Sequence, residues 1–136
     1  MKIKTIKQSI VIKAEPHDVY ELILDSKKHS KLTGAPAIIG RNIGEKFSIW
    51  DGEIEGINLE LFPDQKITQS WRYSNWPENY FSKVTFAFSK VPAGTNLIFT
   101  QTGVPEEHYV DIAQGWKDYY WKPMKKMFEK KSRKST

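Results

Sequence analysis

The sequence predicts an α+β domain: a curved antiparallel sheet of about 6–7 strands wrapped around one long C-terminal helix, with two short helices after strand one. Two observations carry this. From Ala35 onward, apolar residues recur at every second position between turn signals, and after Pro105 they recur three or four apart. The final segment is the only element long enough to cover a sheet of that size.

The opening stretch IKQSIVIK is β-branched and puts Ile6, Ile10 and Ile12 on one parity, which predicts a strand with one buried face. In AEPHDVYELILDS the period changes. Pro16 suits a first helical position, Asp18 the positive helix end, and Val19, Leu22 and Ile23 recur at helical spacing. A second short helix is expected over Ser26 to Leu32.

Strands and turns follow. NIGEKF turns the chain, and IWDGEI predicts a two-residue hairpin because Asp51-Gly52 supplies the positive φ of a type I′ turn. Pro63 and Asp64 turn the chain between the strand of Leu59 and Leu61 and the strand ITQSWRY. VTFAF alternates Val84, Phe86 and Phe88 against Thr85 and Ala87. After the turn VPAGT, Leu97, Phe99 and Gln101 alternate against Ile98 and Thr100. Pro105, Glu106 and Glu107 then start an amphipathic helix carrying Ile112, Trp116, Tyr119 or Tyr120, Met124, and Met127 or Phe128. Pro123 is expected to bend it around the curve of the sheet.

The 136 residues hold one domain, expected over residues 1–129, with a basic tail at 130–136. From Lys122 on, Lys122, Lys125, Lys126, Lys130, Lys131, Arg133 and Lys134 face the single acid Glu129, so this stretch accounts for the net charge of +5 and the rest of the chain is nearly neutral. Such a tail suits contact with RNA, an anionic membrane or an acidic protein surface, and the plainer reading is a solvated helix end whose lysines complement the dipole. The absence of cysteine excludes disulfides and thiol chemistry. No apolar run approaches bilayer length and the N-terminus alternates Lys with Ile, so no transmembrane segment is expected and the cytoplasm is the expected compartment.

The stretches APAIIGRNIGEKFSIWDGEIEG, LFPDQKITQSWRYSNWPENYFSKVTFAF, GTNLIFTQTGVPEE and QGWKDYYWKPMKKMF resemble the C-terminal domain of the activator of heat-shock protein 90 ATPase family. Gly44, Asp51-Gly52, Gly56, the Trp71 strand, Trp76-Pro77, Gly103 and Gly115-Trp116 occur in the expected order, over about Ile10 to Phe128. The resemblance implies a helix-grip fold of the START-like, or SRPBCC, superfamily, which includes polyketide cyclases and lipid-transfer domains. Eukaryotic co-chaperones of this kind carry a separate N-terminal domain, which these 136 residues are not expected to form, so the resemblance implies the fold before it implies ATPase activation.

Three function classes emerge. The first is a non-enzymatic domain holding a hydrophobic small molecule or lipid between sheet and helix. Its expected cavity residues on the sheet are Phe47, Ile57, Trp71, Tyr73, Phe86, Phe99 and Gln101, and on the helix Trp116, Tyr120 and Met124. The second is a co-chaperone-type module binding heat-shock protein 90, with Trp76 expected as an exposed anchor and Lys125 and Lys126 on the partner surface. The third is a cyclase-like enzyme, for which only Gln101 and the tyrosines offer inward polar groups. A buried Gln101 amide needs partners, whether Tyr73, a water or a ligand. Arg72, between Trp71 and Tyr73, is expected on the opposite face in solvent.

No catalytic residues, cofactor or metal ligands are expected. His17, His29 and His108 never approach ligand spacing, and no nucleophile elbow, P-loop or dinucleotide fingerprint occurs. Glu53 with Glu55 and Glu106 with Glu107 are exposed turn charge and helix-dipole complement. Nucleic-acid binding is disfavoured because the basic residues cluster in the tail while the aromatics follow core periodicity.

Overall fold

The computed structural model describes residues 1–134, with side chains through Glu129. The basic tail read from the sequence lies with its side chains outside the described residues, although the backbone of the last helix continues to Lys134.

Seven antiparallel strands form one sheet: β1 (Ile3–Ile12), β2 (Ala37–Ile39), β3 (Lys46–Ile49), β4 (Ile54–Phe62), β5 (Lys66–Tyr73), β6 (Ser82–Val91) and β7 (Gly94–Pro105), in the order β1-β7-β6-β5-β4-β3-β2. Helices α1 (Pro16–Leu24) and α2 (Ser26–Thr33) follow β1, as expected. Pro16 opens α1, the Asp25 carboxylate accepts from the Lys28 amide to cap α2, and Gly34 closes α2 at φ 77°.

After β7 a 3₁₀ turn (Glu106–His108) leads into α3 (Tyr109–Trp116), a π turn (Lys117–Trp121) and α4 (Lys122–Lys134). The single long helix expected from the sequence is thus one helical path with a widened turn. Pro123 has no N–H and its ring crowds the preceding carbonyls. At the residue just before it the Lys122 amide reaches back five residues to the Lys117 carbonyl, which lets the chain pass the proline without breaking. The extra residue turns both Tyr120 and Trp121 inward and leaves Tyr119 55% exposed.

Strand alternation largely holds: Val84, Phe86 and Phe88 on β6, and Leu97, Phe99 and Gln101 on β7, are buried on the concave face. On β1, Ile6 and Ile12 are buried and Ile10 partly so. The expected two-residue hairpin after β3 is corrected. Ile49 pairs with Ile54, so the connection has four residues, Trp50 to Glu53, with positive φ at Trp50 and Asp51 as well as Gly52. A tertiary contact draws Trp50 out of the strand: its ring meets Tyr119 and Tyr120 edge-on at 5.7 and 5.9 Å.

Gly56 is required by close approach. A Cβ there would overlap the Ser70 carbonyl and stand 2.9 Å from the Phe47 ring, which lies over this position. Gly56→Ala is therefore expected to lower stability by about 2–3 kcal/mol, read as a lower urea midpoint at unchanged slope.

Candidate functional site

The space between sheet and C-terminal helix is built around Trp116. Its ring lies 4.3 Å from Phe99, 4.6 Å from Tyr120, 5.7 Å from Trp121, 5.8 Å from Phe86 and 5.9 Å from Trp71. Edge-to-face and tilted pairs at these separations favour one arrangement of the rings over sliding alternatives. Met124, about two turns beyond Trp116, is fully buried.

The expected cavity residues Trp71, Phe86, Phe99, Gln101, Trp116, Tyr120 and Met124 come together here, with Phe47 buried beneath the β3–β4 end and Tyr73 at the margin. Ile57 does not join them. Ile54, Gly56 and Asn58 take the inward positions of β4, so Ile57 faces the convex side, where it lines an outer hollow with Ile38 and Phe81. The room left beneath the helix is about 30 Å³, bounded by Trp50, Trp71, Tyr73, Trp116, Tyr119 and Tyr120. That is on the scale of a single water and far below the 300 Å³ or more of typical small-molecule sites. The expected ligand-sized cavity is filled by the aromatics themselves.

Gln101 has structural partners. Trp116 Nε1 donates to its Oε1 at 2.8 Å, its Nε2 donates to Ser82 Oγ at 3.0 Å, and Ser82 Oγ donates to the Trp71 carbonyl at 2.8 Å. The relay joins the helix to β7, β6 and β5, and the amide's partners are Trp116 and Ser82 in place of the Tyr73, water or ligand weighed from the sequence.

Two further ties were not anticipated. Trp121 Nε1 donates to Gln8 Oε1 at 2.6 Å while Gln8 Nε2 donates to the Ala113 carbonyl at 2.9 Å, so β1 grips the helix on both sides of the π turn. His29 on α2 is buried, with Nδ1 2.8 Å from the Ile23 carbonyl and Nε2 2.8 Å from the Tyr120 hydroxyl. A carbonyl only accepts, so the proton sits on Nδ1 and Tyr120 donates to Nε2. Burial pushes the His29 pKa below its usual 6.5, against the opposing effect of the Ile23 carbonyl, and drives the Tyr120 hydroxyl well above the ordinary tyrosine range. Gln8 shares parity with Ile6 and Ile10, a signal that it faces inward. His29 stands three residues before Leu32 in α2, a spacing that puts both on one face.

The expectation of an exposed Trp76 changes. Trp76 is only 4% exposed and packs on Trp71 and Tyr80 at 5.6 and 5.9 Å. The cause is Arg72, which lies on the convex face as expected but not in solvent. Its Nη2 donates to the Trp76 and Pro77 carbonyls at 2.8 and 3.3 Å and its Nη1 meets Glu55 at 3.2 Å, folding the loop back over the sheet edge. Lys125 and Lys126 are exposed on α4.

A seven-stranded antiparallel sheet closing on one C-terminal helix is the helix-grip arrangement of START-like domains. Within that class the chain belongs to the activator of heat-shock protein 90 ATPase family: the model described as "Activator of Hsp90 ATPase homolog 1-like protein" matches residues 13–129. The "Activator of 90 kDa heat shock protein ATPase homolog" of Dictyostelium discoideum is 34% identical over 115 residues, 84% of this chain and 30% of that protein. The Homo sapiens homolog 1 is 29% identical over 124 residues, 91% of this chain and 36% of that protein. The chain thus spans about a third of the length of these relatives. The crystal structure of an HSP90 activator from Plasmodium falciparum superposes with a TM-score of 0.77 at 24% identity, covering 87% of this chain and 89% of that one, a likeness of fold.

Two outcomes are expected of the polar ties. Gln101→Leu strands the Trp116 N–H and should cost about 1–3 kcal/mol in urea unfolding, with Gln101→Leu/Trp116→Phe costing less than the sum of the single changes. Because the folded pKa of His29 is lowered, the unfolded chain binds the extra proton first. Stability is therefore complete above about pH 6.5 and falls as pH drops below it, with a slope of at most about 1.4 kcal/mol per unit. His29→Gln should flatten that slope in denaturation midpoints measured between about pH 7.5 and 5.

Proposed function

We propose that this chain is a protein-binding module of the co-chaperone type whose partner is heat-shock protein 90, acting without chemistry of its own. The observation that carries this reading is the filled space beneath the helix in a chain of this family: with about 30 Å³ there, the fold has an exterior to offer and no vessel. Holding a hydrophobic molecule or lipid would require displacing Trp116 and Tyr120 from the ring cluster and from their bonds to Gln101 and His29. A cyclase-like reaction finds no free inward group in Gln101 or Tyr120, since these same bonds occupy both. The names of the relatives, activators of a heat-shock protein ATPase, supply the partner class.

In this reading Lys125 and Lys126 face the partner, while Trp76 acts indirectly by holding the loop that Arg72 folds back. Among the described residues no helix is long and apolar enough to cross a membrane. We place the protein in the cytoplasm, with its chaperone.

Purified chain titrated into purified heat-shock protein 90 from the same source should bind saturably and alter its ATPase rate. Lys125→Glu/Lys126→Glu should weaken binding by about tenfold with unchanged circular dichroism. Absence of both binding and rate change would sink the reading.

A further inference from the structure

The geometry points to a docking groove between the N-terminal helices and α4 that accepts an acidic, apolar-anchored helical segment of a partner protein. This rests on the protein-binding reading above, though not on the partner being a chaperone. The groove encloses about 340 Å³ and is lined by Asp18 and Leu22 of α1, Lys28 and Lys31 of α2, and Met127 and Phe128 of α4. Its floor is apolar, Leu22, Phe128 and the half-buried Met127, and its lysines are exposed.

Charge settles the occupant. Lys27, Lys28 and Lys31 stand on α2 and Lys125 and Lys126 on α4, all exposed, and none of the five is paired with a carboxylate among the described residues. Elsewhere lysines do find acids, as Lys66 with Glu60, Lys90 with Glu15 and Lys122 with Asp118. Asp18 is the only acid in the lining. With no acid on α2 and Glu129 the single acid on the described part of α4, the lysines outnumber the carboxylates around the apolar floor. They are complementary to a segment that brings carboxylates at its edges and one or two large apolar side chains at its centre, the helix-in-groove mode of recognition.

The shape excludes two other anionic partners. A bilayer takes up apolar side chains that protrude, whereas here Phe128 and Leu22 are recessed and only a side chain brought from outside can reach them. Single-stranded nucleic acid needs presented ring faces for stacking, and the only ring in the lining is that of buried Phe128.

The test uses the full chain and a fluorescent peptide of about four helical turns, with leucines at helical spacing and glutamates elsewhere. Anisotropy should show saturable binding that weakens as salt rises. Replacing the peptide's glutamates by glutamine, or making Lys28→Glu/Lys31→Glu in the protein, should each weaken it by about tenfold or more. Lys7→Glu/Lys83→Glu, on the convex sheet face, should leave affinity within about twofold. The isotope-labelled methyl of Met127 should shift on binding, while that of Met124, fully buried, and of Met1, at the far terminus, stay in place. No saturable binding, equal loss from both lysine pairs, or a Met127 signal unmoved by peptide overturns the groove. So does recruitment to phosphatidylserine vesicles that depends on Lys28 and Lys31 in the absence of peptide binding. If the peptide result holds while the chain leaves heat-shock protein 90 untouched, the groove stands and the chaperone assignment falls.

Discussion

The fold depends on how three aromatic side chains of one helix are anchored by their polar ends. Within Trp116 to Trp121 the helix sends an indole N–H to Gln101 of β7, a phenol to His29 of α2 and a second indole N–H to Gln8 of β1. Burying an aromatic of roughly 150–250 Å² at about 25 cal/mol per Å² contributes about 4–6 kcal/mol before entropy, so the rings supply most of the cohesion. A net hydrogen bond adds only about 1 kcal/mol, but an unmade one at such a site costs about 1–3 kcal/mol. That asymmetry makes the polar ends arbiters of register: a helix shifted by one residue would keep its apolar contact and lose all three partners at once.

The π turn follows from the same requirement. A regular α-helix sets successive side chains about 100° apart, so Tyr120 and Trp121 would stand at the two margins of its apolar stripe. One extra residue before Pro123 closes that angle, and Trp116 and Trp121 stack at 5.7 Å with an interplanar angle of 18° across the widened turn. Proline two positions later makes the local cost smaller, because the helix has already given up a regular bond there.

Strand alternation and the helical period made the seven strands, the two short helices and the C-terminal cover legible, because each follows from burying one face of one element. Gln101 was legible for the same reason: an amide at an apolar parity must find partners. What escaped depended on contacts between elements. Trp50 leaves its strand to meet Tyr119 and Tyr120, which lengthens a hairpin that Asp51-Gly52 alone would close in two residues. Trp76 reads as a surface anchor until Arg72, across the sheet edge, captures the carbonyls of its loop. Ile57 has the composition of a core residue, and only the pairing of Phe47 with Gly56 shows which parity of β4 turns inward. His29 lies on the apolar side of a lysine-rich helix, where nothing local foretells a tyrosine 91 residues away.

A filled interior moves recognition outward. In a helix-grip fold the ligand capacity of the cavity and the rigidity of the grip compete for the same volume: each aromatic that adds a contact to the helix removes space beneath it. Here the competition is resolved toward rigidity, with Trp116, Tyr120 and Trp121 all bonded and only about 30 Å³ left. A helix fixed at both ends of its π turn holds its outward face at a constant angle to α1 and α2. In the proposed reading the helices that carry the lysines of α2 and α4 are held in place before a partner arrives, and the partner need not supply the free energy of ordering them.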